Sequence, residues 1–317
     1  MLNNFSVSER KVAIIGAGFV GASIAYALTI RKLAREIVLI DIHEEKTIGE
    51  ALDIQHGIPD MGISSVRAGT YADCKDCDLI IITAGRNRKR GESRLDLIAG
   101  NSAILKDVVG QMKPYYTKGV IMIVSNPVDV LVYQCTKWMG LPNGMVFGTG
   151  CILDSSRFTR LIADYTHLNT EVVKATIVGE HGDAQIPIWS RASIAGVPLQ
   201  EYCENVGLKW DEEIRKEISD KVREMGATII KGKGRTHYGI ATCVCYLAEA
   251  VLNQRLTIAP GSTMFQGEYG IEDVCLSVPS IIGVNGVEKR LEERWAEEEF
   301  QAFRQAADKM KKVLKTL

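Results

Sequence analysis

A glycine-rich turn near the start of the chain constrains its fold more than any other feature. Residues 16–21 (GAGFVG) follow an apolar strand pattern at Lys11 to Gly16 and open a helical pattern at Gly21 to Ile30. Asp41 lies in the next predicted strand, Glu36 to Ile42, 20 residues after Gly21. A strand, a GxGxxG turn, a helix and an acidic residue at this spacing are the pattern of a dinucleotide-binding βαβ unit.

Each part of this pattern has a chemical reason. The glycines let the backbone approach a pyrophosphate at the positive N-terminus of the helix. Asp41 would accept hydrogen bonds from the adenosine ribose hydroxyls and repel a 2′-phosphate, which predicts NAD rather than NADP. A tight strand–helix turn without a ligand and a flavin site are the alternatives for this segment.

The rest of the first half alternates short apolar strands with helical patterns. Nearly continuous Ile and Val strands separated by helices indicate a parallel sheet covered on both faces. We therefore predict an α/β fold with a Rossmann-type, doubly wound parallel sheet. Further strands are predicted at Leu79 to Thr83 and Val120 to Ser125, and helices at Glu44 to Gln55 and Ile98 to Lys113.

The pattern changes after about residue 150, where long helices and hairpin-like stretches indicate a mixed α+β unit. We place a domain boundary near Gly148 to Gly150. This gives an NAD-binding domain over residues 1–150 and a substrate-binding catalytic domain over residues 151–317, with a site between them that can exclude water. The helices are predicted at Ser155 to Asp164, Asp211 to Lys231, Gly239 to Asn253 and Leu291 to Leu317, and the hairpin segments at Leu256 to Glu268 and Val274 to Ile282.

Charge and hydropathy exclude several classes of protein. The 38 basic and 39 acidic side chains give a net charge of −1, which argues against a general nucleic-acid binder. No apolar run approaches the ~20 residues of a membrane span. The first residues, MLNNFSVSERK, lack the apolar core of a signal peptide. We therefore expect a cytoplasmic protein whose partner is a small molecule rather than a nucleic acid or a membrane.

The eight cysteines are few for a chain of this length and are irregularly spaced. Cys74 and Cys77 form a CxxC pair, but no second pair follows at zinc-site spacing. Cys243 and Cys245 lie far away in a predicted helix. Because a structural zinc site needs four clustered ligands, we expect reduced thiols and no metal.

Charged residues suited to catalysis lie in the second half. His181 lies in the segment 179–183 (GEHGD), whose glycines leave its ring accessible, and His237 is its main competitor among the five histidines. Asp154 and Arg157 are three residues apart on a predicted helix and share a face. They form either a surface ion pair or a functional couple, in which Asp154 orients a histidine and Arg157 binds a substrate carboxylate.

A very basic segment follows the strand that ends near Ala84. Residues 86–94 (RNRKRGESR) hold five basic side chains in nine and lie at the carboxyl edge of the predicted sheet, where ligands bind. The segment can be a nucleic-acid patch, a solvated loop or a lid that closes over a small anion with Gly85 and Gly91 as hinges. The lack of interleaved aromatic residues disfavours the nucleic-acid patch.

Taken together, these features resemble the lactate/malate dehydrogenase superfamily. The resemblance spans residues 10–315 and depends on ordered motifs: GAGFVG, VLIDI, TAG, GESRLDL, VSNPVDV, ILDSSRF, GEHGD and GRTHYGIA. Among these, GESRLDL, GEHGD and Thr236 are similar to the branch that acts on L-lactate.

The resemblance implies roles for individual residues. His181 gives a proton to the ketone oxygen when pyruvate is reduced and accepts it in reverse. Asp154 holds the imidazolium, Arg94 polarises the carbonyl, and Arg157 binds the carboxylate in two parallel hydrogen bonds. The other implied substrate contacts are Arg88, Asn126 and Thr236, and the implied NAD contacts are Gly16, Gly18, Val20, Gly21, Asp41, Lys46, Tyr71, Gly85, Ser125, Asn126 and Thr149.

Two features depart from the family pattern. Lactate enzymes usually carry glutamine where this chain has Arg88, whereas malate enzymes carry arginine there to pair with the second carboxylate of oxaloacetate. Many bacterial lactate enzymes have an allosteric site for fructose-1,6-bisphosphate that includes an arginine and a histidine. In this chain the position of the arginine is Thr159 and that of the histidine is Lys174.

The activity implied by the resemblance is the reversible, NADH-dependent reduction of pyruvate to L-lactate. Arg88 makes the conversion of oxaloacetate to malate the alternative. A non-catalytic NAD-binding sensor or scaffold is the alternative from another class, and it predicts damage to the catalytic residues. The resemblance also implies a homo-oligomer, either a dimer or a tetramer.

Overall fold

Helices cover a sheet that runs through both halves of the chain. The computed structural model describes residues 10–61, 65–87 and 91–317, without the side chains of residues 60 and 61. The helices are α1 (Phe19–Ile30), α2 (Glu44–Met61), α3 (Arg94–Met112), α4 (Val128–Met139), α5 (Ile152–Thr166), α6 (Leu199–Val206), α7 (Glu212–Lys233), α8 (Tyr238–Leu252) and α9 (Glu297–Leu314). The strands are β1 (Lys11–Ile15), β2 (Glu36–Ile40), β3 (Ser65–Ala68), β4 (Leu79–Ile82), β5 (Val120–Ile123), β6 (Val146–Gly148), β7 (Val173–Lys174), β8 (Ile177–Gly179), β9 (Gln185–Pro187), β10 (Ser193–Ile194), β11 (Val197–Pro198), β12 (Thr257–Gln266), β13 (Glu272–Gly283) and β14 (Gly286–Arg290).

The first part of the sheet is parallel, with the order β3-β2-β1-β4-β5-β6. Val12 of β1 pairs with Ile37 of β2 on one side and with Leu79 of β4 on the other. β2 and β3 are thus added on one side of β1, and β4, β5 and β6 on the other, so the strand order reverses between β1 and β4. Ligands bind at the carboxyl ends of the strands beside such a switch point. This order confirms the predicted Rossmann-type sheet.

Alternate residues of β1 face opposite helical layers. Val12 and Ile14 belong to a core formed with α1, α2 and α8, whereas Ala13 and Ile15 belong to a core formed with α3 and α4. All four residues are almost completely buried. Because both faces are covered, the central strands are apolar throughout instead of alternating between apolar and polar residues.

An antiparallel hairpin of β12 and β13 extends the sheet into the second half of the chain. Ser262 of β12 pairs with Gly148 of β6, and Ser277 of β13 pairs with Gly179 of β8. The parallel part of the sheet thus ends at Gly148, where the mixed α+β part begins. The division into residues 1–150 and 151–317 stays a prediction.

Some element bounds differ from the sequence prediction. The last helix, predicted over residues 291–317, begins only at Glu297. The nearly buried carboxylate of Glu299 accepts hydrogen bonds from the backbone N–H groups of Ala296 and Ser190, which fixes the start of the helix. Helices α4 and α6 and strands β3, β6 to β11 and β14 were not predicted from the sequence.

Within the described ranges, no helix is long and apolar enough to cross a membrane, and no group of three or more His, Cys, Asp or Glu side chains is placed to hold a metal ion. All eight cysteines are buried free thiols. Burial raises the pKa of Cys74 and of Cys77 to about 12. Both thiols of the CxxC pair therefore stay protonated at neutral pH.

Candidate active site

The glycine turn leaves open space at the start of α1. Gly16 has a φ of +107°, and a Cβ atom on Gly21 would overlap the carbonyl oxygen of Gly16, so both positions require glycine. Around Gly18 no atom lies within 4 Å of where a Cβ would stand. Gly18 is the N-cap of α1, and the first turn of this helix carries no acidic residue. The free N–H groups and the open space fit the pyrophosphate of NAD.

Asp41 follows β2 and lies against the same turn. Its Oδ2 atom accepts a hydrogen bond of 2.7 Å from the backbone N–H of Ala17, and its Oδ1 atom accepts one of 3.1 Å from the N–H of His43. These two bonds fix the carboxylate beside the glycine turn, at the position expected for an adenosine ribose contact. The side chain of Asp41 is half-buried, so it is open to a ligand.

One cavity of about 490 Å³ brings together most of the predicted site residues. It lies where the chain leaves β4, β5, β6 and β8. The predicted cofactor residues that line it are Val20, Gly85, Ser125, Asn126 and Thr149. The predicted catalytic and substrate residues that line it are Asn126, Asp154, Arg157, His181 and Thr236. The predicted cofactor residues Gly16, Gly18, Gly21, Asp41, Lys46 and Tyr71 do not line this cavity, and neither does the predicted catalytic residue Arg94. Arg88 lies outside the described residues.

A buried carboxylate joins the two main cations of the cavity. Asp154, in the first turn of α5, is 3% exposed. Its Oδ2 atom lies 2.5 Å from Nδ1 of His181, and its Oδ1 atom accepts a hydrogen bond of 3.1 Å from Nη1 of Arg157. The Asp154–Arg157 pair is therefore an internal feature of the cavity and not a surface ion pair. It leaves the other guanidinium nitrogens of Arg157 available to a ligand.

The ion pair controls the protonation of its members. Burial opposes protonation of His181, but the hydrogen bond and charge of Asp154 outweigh it, so the pKa of His181 is raised. Burial also opposes ionisation of Asp154, but the hydrogen bond and charge of His181, with the charge of Arg157, keep the pKa of Asp154 below its ordinary value. The raised pKa of His181 favours its protonated form, and the lowered pKa of Asp154 favours the ionised carboxylate beside it.

Asp129 is a second buried carboxylate that the sequence analysis did not identify. It is 2% exposed in the first turn of α4, and its Oδ2 atom accepts a hydrogen bond of 2.8 Å from the backbone N–H of His181. Its Oδ1 atom accepts another, of 2.6 Å, from the hydroxyl of Ser262. Burial raises the pKa of Asp129. The signal for this residue was an aspartate within the apolar run VDVLV at 128–132.

Arg94 is held by acidic neighbours of His181. Its guanidinium contacts the buried carboxylate of Glu180, and its Nη1 atom lies 3.5 Å from Oδ2 of Asp183. The Arg94 side chain is 37% exposed, whereas that of Glu180 is 4% exposed. Arg94 is thus anchored to residues on both sides of His181 in the chain, and its charge is neutralised by these protein groups. Glu180 was quoted within the motif GEHGD, but its partner could not be inferred from the sequence.

Asn101 of α3 ties together two loops that border the cavity. Its side-chain amide donates to the backbone oxygens of Arg86 and Asn126, and its Oδ1 atom accepts a hydrogen bond of 2.9 Å from the N–H of Arg86. Asn101 is 2% exposed. Asn101 was not predicted from the sequence, because nothing in a helical pattern marks an amide that bridges two distant loops.

His237 is not part of this arrangement. It is buried between the rings of Phe19 and Tyr238, and its Nδ1 atom has no hydrogen-bond partner among the described residues. Burial lowers the pKa of His237, and the charges of Lys233 and Arg235 add to the effect. Of the two candidate histidines, His181 is the one that lines the cavity and contacts a carboxylate.

A nucleotide-binding sheet and a carboxylate-bound histidine beside an arginine define an NAD-dependent dehydrogenase, an oxidoreductase that acts on a CH–OH group. Sequence comparison gives the family. The NAD binding domain model of the lactate/malate dehydrogenases matches residues 10–148, and the model of their alpha/beta C-terminal domain matches residues 151–317. The chain belongs to the lactate/malate dehydrogenase family.

Relatives match along the whole chain. An L-lactate dehydrogenase of Acetivibrio thermocellus is 39% identical over 316 residues, which cover 100% of this chain and 99% of the relative. One of Thermoanaerobacterium saccharolyticum is 43% identical and covers 97% and 99%. Among solved structures, the minor L-lactate dehydrogenase of Enterococcus mundtii, in a ligand-bound form, has a TM-score of 0.94 at 39% identity, with 98% and 99% covered.

Proposed function

We propose that this chain is an L-lactate dehydrogenase, which catalyses the reversible reduction of pyruvate to L-lactate with NADH. The observation that carries the proposal is the contact of one buried carboxylate, Asp154, with both His181 and Arg157 in the cavity next to the glycine turn. A 2-keto acid offers one carboxylate for the arginine and one ketone oxygen for the histidine. The relatives named above, all L-lactate dehydrogenases, support the same activity.

Arg157 is suited to the substrate carboxylate. Its side chain is 12% exposed and Asp154 contacts only one of its nitrogens, so the rest of the fork can make parallel hydrogen bonds to a carboxylate. Gly226 of α7 lies beside it, where a Cβ atom would be 3.8 Å from Nη2. This close approach of a glycine leaves room for a ligand next to the guanidinium.

His181 is suited to move the proton. Its Nδ1 atom faces Asp154, so Nε2 remains to donate to the ketone oxygen of pyruvate. Bound NADH supplies the hydride to the carbonyl carbon. As negative charge develops on the oxygen, the imidazolium of His181 neutralises it and then transfers its proton, while Asp154 stabilises the imidazolium until that transfer. In the direction of lactate oxidation, neutral His181 accepts the hydroxyl proton.

Arg94 is proposed to polarise the ketone. To do so, its guanidinium must exchange at least part of its contact with Glu180 and Asp183 for the carbonyl oxygen of the substrate. Asn126, which lines the cavity and whose backbone is held by Asn101, is proposed to contact the substrate and the nicotinamide. Thr236 lines the same cavity and is proposed to contact the substrate.

Initial rates of NADH oxidation, followed by absorbance with pyruvate and with oxaloacetate, test the proposal. We expect pyruvate to be the better substrate by kcat/KM. Oxaloacetate reduction should be a substantial side activity, since Arg88 can pair with the second carboxylate. A hundredfold preference for oxaloacetate, equal to ~2.7 kcal/mol of discrimination, would identify malate oxidation as the activity instead.

We further propose that the chain forms a homodimer or homotetramer in the cytoplasm. Ile48 and Leu52, one turn apart on α2, are 42% and 50% exposed, and Tyr246, Leu256 and Ile258 expose a second apolar surface. Such surfaces mark contacts between proteins. The eight buried thiols suit a reducing compartment. Sedimentation velocity should give a dimer or tetramer, and a monomer at all micromolar concentrations would contradict the oligomer.

A further inference from the structure

An arginine outside the nucleotide-binding motif lies on the glycine turn. Arg235 follows Gly234, the left-handed residue that ends α7, and its guanidinium carbon is 3.5 Å from the centre of the Phe19 ring. Phe19 is the first residue of α1 and follows Gly18 directly. We propose that Arg235 binds the pyrophosphate group of the dinucleotide and is a cofactor-binding residue of this enzyme.

The position of Arg235 matches the charge that it would meet. The pyrophosphate of NAD carries two negative charges, and the N-terminus of α1 offers only backbone N–H groups and the positive end of the helix dipole. Arg235 reaches the first turn of this helix from the connection between α7 and α8. Lys46, a predicted cofactor residue, approaches the same ring, with Nζ 5.4 Å from its centre.

The charge of Arg235 is not used elsewhere. Among the residues that the structure describes, no carboxylate forms an ion pair with it, whereas Arg31, Arg67, Arg86, Arg94 and Arg157 each have an acidic partner. Arg235 instead lies on the face of the Phe19 ring. Phe19 is itself 50% exposed to solvent. The ring restricts the rotamers of a long exposed side chain, so less conformational entropy is lost when the guanidinium binds phosphate oxygens.

The neighbours of both residues border the site itself. Val20, next to Phe19, and Thr236, next to Arg235, line the same active-site cavity. The Phe19–Arg235 contact therefore lies where the dinucleotide must pass between the glycine turn and the substrate pocket. A guanidinium in this place can form the bidentate phosphate contact that arginine favours.

Equilibrium binding of NADH to the full-length protein tests this inference without turnover, so its outcome does not depend on which keto acid is the substrate. Arg235→Gln should raise the Kd of NADH about tenfold, and this effect should shrink at high salt. The matched control is Lys233→Gln, which removes another exposed positive charge two residues away, at a side chain that lies 4.0 Å above the Tyr238 ring. The control should change the Kd by less than about twofold.

Competing ligands locate the contact on the cofactor. ADP-ribose contains the pyrophosphate but no nicotinamide, and Arg235→Gln should weaken it as much as NADH, whereas adenosine should bind equally well to both proteins. Arg235→Lys, which keeps the charge without the planar fork, should give an intermediate Kd. In a Phe19→Leu background the loss caused by Arg235→Gln should be smaller, because the ring no longer positions the guanidinium.

Several results would overturn the proposal. These are a Kd of NADH within twofold of the parent protein in a folded Arg235→Gln variant, an equal loss in Lys233→Gln, or an equal loss of adenosine binding. A loss confined to NADPH would assign Arg235 to a 2′-phosphate instead and would equally reject the pyrophosphate contact. Circular dichroism and the Tm of each variant establish that the protein is folded, and Arg235→Lys supplies the test if glutamine disturbs the turn.

Discussion

Replacement of Asp154 by asparagine gives the sharpest test of the catalytic arrangement. Asparagine keeps the shape of the side chain and can still accept a hydrogen bond from His181, but it carries no charge. Two opposite charges about 4 Å apart attract each other by about 4 kcal/mol at an effective dielectric constant of about 20. Arg157 shares the carboxylate and burial opposes the imidazolium, so we expect a net loss of about 2–3 kcal/mol in the reduction transition state, or about 30- to 150-fold in kcat/KM.

The pH profile separates charge from orientation. Asp154 raises the pKa of His181, and pyruvate reduction needs protonated His181, so reduction declines as the pH rises through this raised pKa. Without the carboxylate the decline should begin at a lower pH. Lactate oxidation needs neutral His181, so its increase with pH should shift in the same direction.

The control for this experiment lies on the same helix. Asp164 of α5 forms an exposed ion pair with Arg160 at 2.8 Å, and Asp164→Asn should leave both pH profiles unchanged. Steady-state rates in both directions across pH provide the measurement. If Asp154→Asn loses activity but keeps the wild-type pH profile, the carboxylate acts by orienting the ring, and the electrostatic argument fails.

Four further predictions follow from individual residues. Arg157→Lys should raise the KM of pyruvate about 10- to 100-fold with a smaller change in kcat, since lysine cannot form two parallel hydrogen bonds to a carboxylate. A decrease of this size in kcat, with an unchanged KM, would exclude the binding role. Asp41→Ser should narrow the preference for NADH over NADPH, because the repulsion of the 2′-phosphate is removed, and comparable kcat/KM for both cofactors in the parent protein would contradict this. Fructose-1,6-bisphosphate should change the KM of pyruvate less than about twofold, because Thr159, which lines a second cavity with Lys174, cannot pair with a phosphate charge; a large decrease in KM would refute it. Arg88→Gln should suppress oxaloacetate turnover and leave or improve pyruvate turnover, and an unchanged ratio of the two rates would show that Arg88 does not select the substrate.

The sequence predicted the parallel sheet and its cofactor turn because these depend on local patterns. Apolar strands of β1, β2, β4 and β5 are buried on both faces, and glycine is required at Gly16 and Gly21 by close backbone contacts. Both signals are visible within a few neighbouring residues. The later start of α9 was not visible, because it depends on Glu299 capping the helix through Ser190, a residue 109 positions away.

The candidate site shows the same limit. The spacing of Asp154 and Arg157 allowed two interpretations, since an i,i+3 pair looks alike on a surface and in a cavity. Only the fold, which places β8 beside α5, shows that Asp154 also contacts His181. Asn101, Asp129 and Glu180 act through partners that are 15 to 133 positions away in the chain, and no local pattern encodes such contacts.

The division of one carboxylate between two cations links substrate binding to proton transfer. Oδ2 of Asp154 contacts His181 and Oδ1 contacts Arg157, so the two cations share the charge of one carboxylate. A bound pyruvate carboxylate adds a negative charge at Arg157, which favours the protonated form of His181 nearby. Once the proton has moved to the product oxygen, His181 is neutral and Arg157 keeps its bonds to Asp154 and to the product carboxylate.

Substrate binding should therefore take up a proton when the pH lies above the pKa of free His181, and proton uptake should be lost in Asp154→Asn at that pH. A pH-indicator dye in weakly buffered solution can follow this uptake when pyruvate is added to the NADH complex. The measurement needs a variant that binds substrate but turns over slowly, such as Arg94→Gln. Equal uptake with and without Asp154 would show that proton binding at His181 and substrate binding at Arg157 are independent.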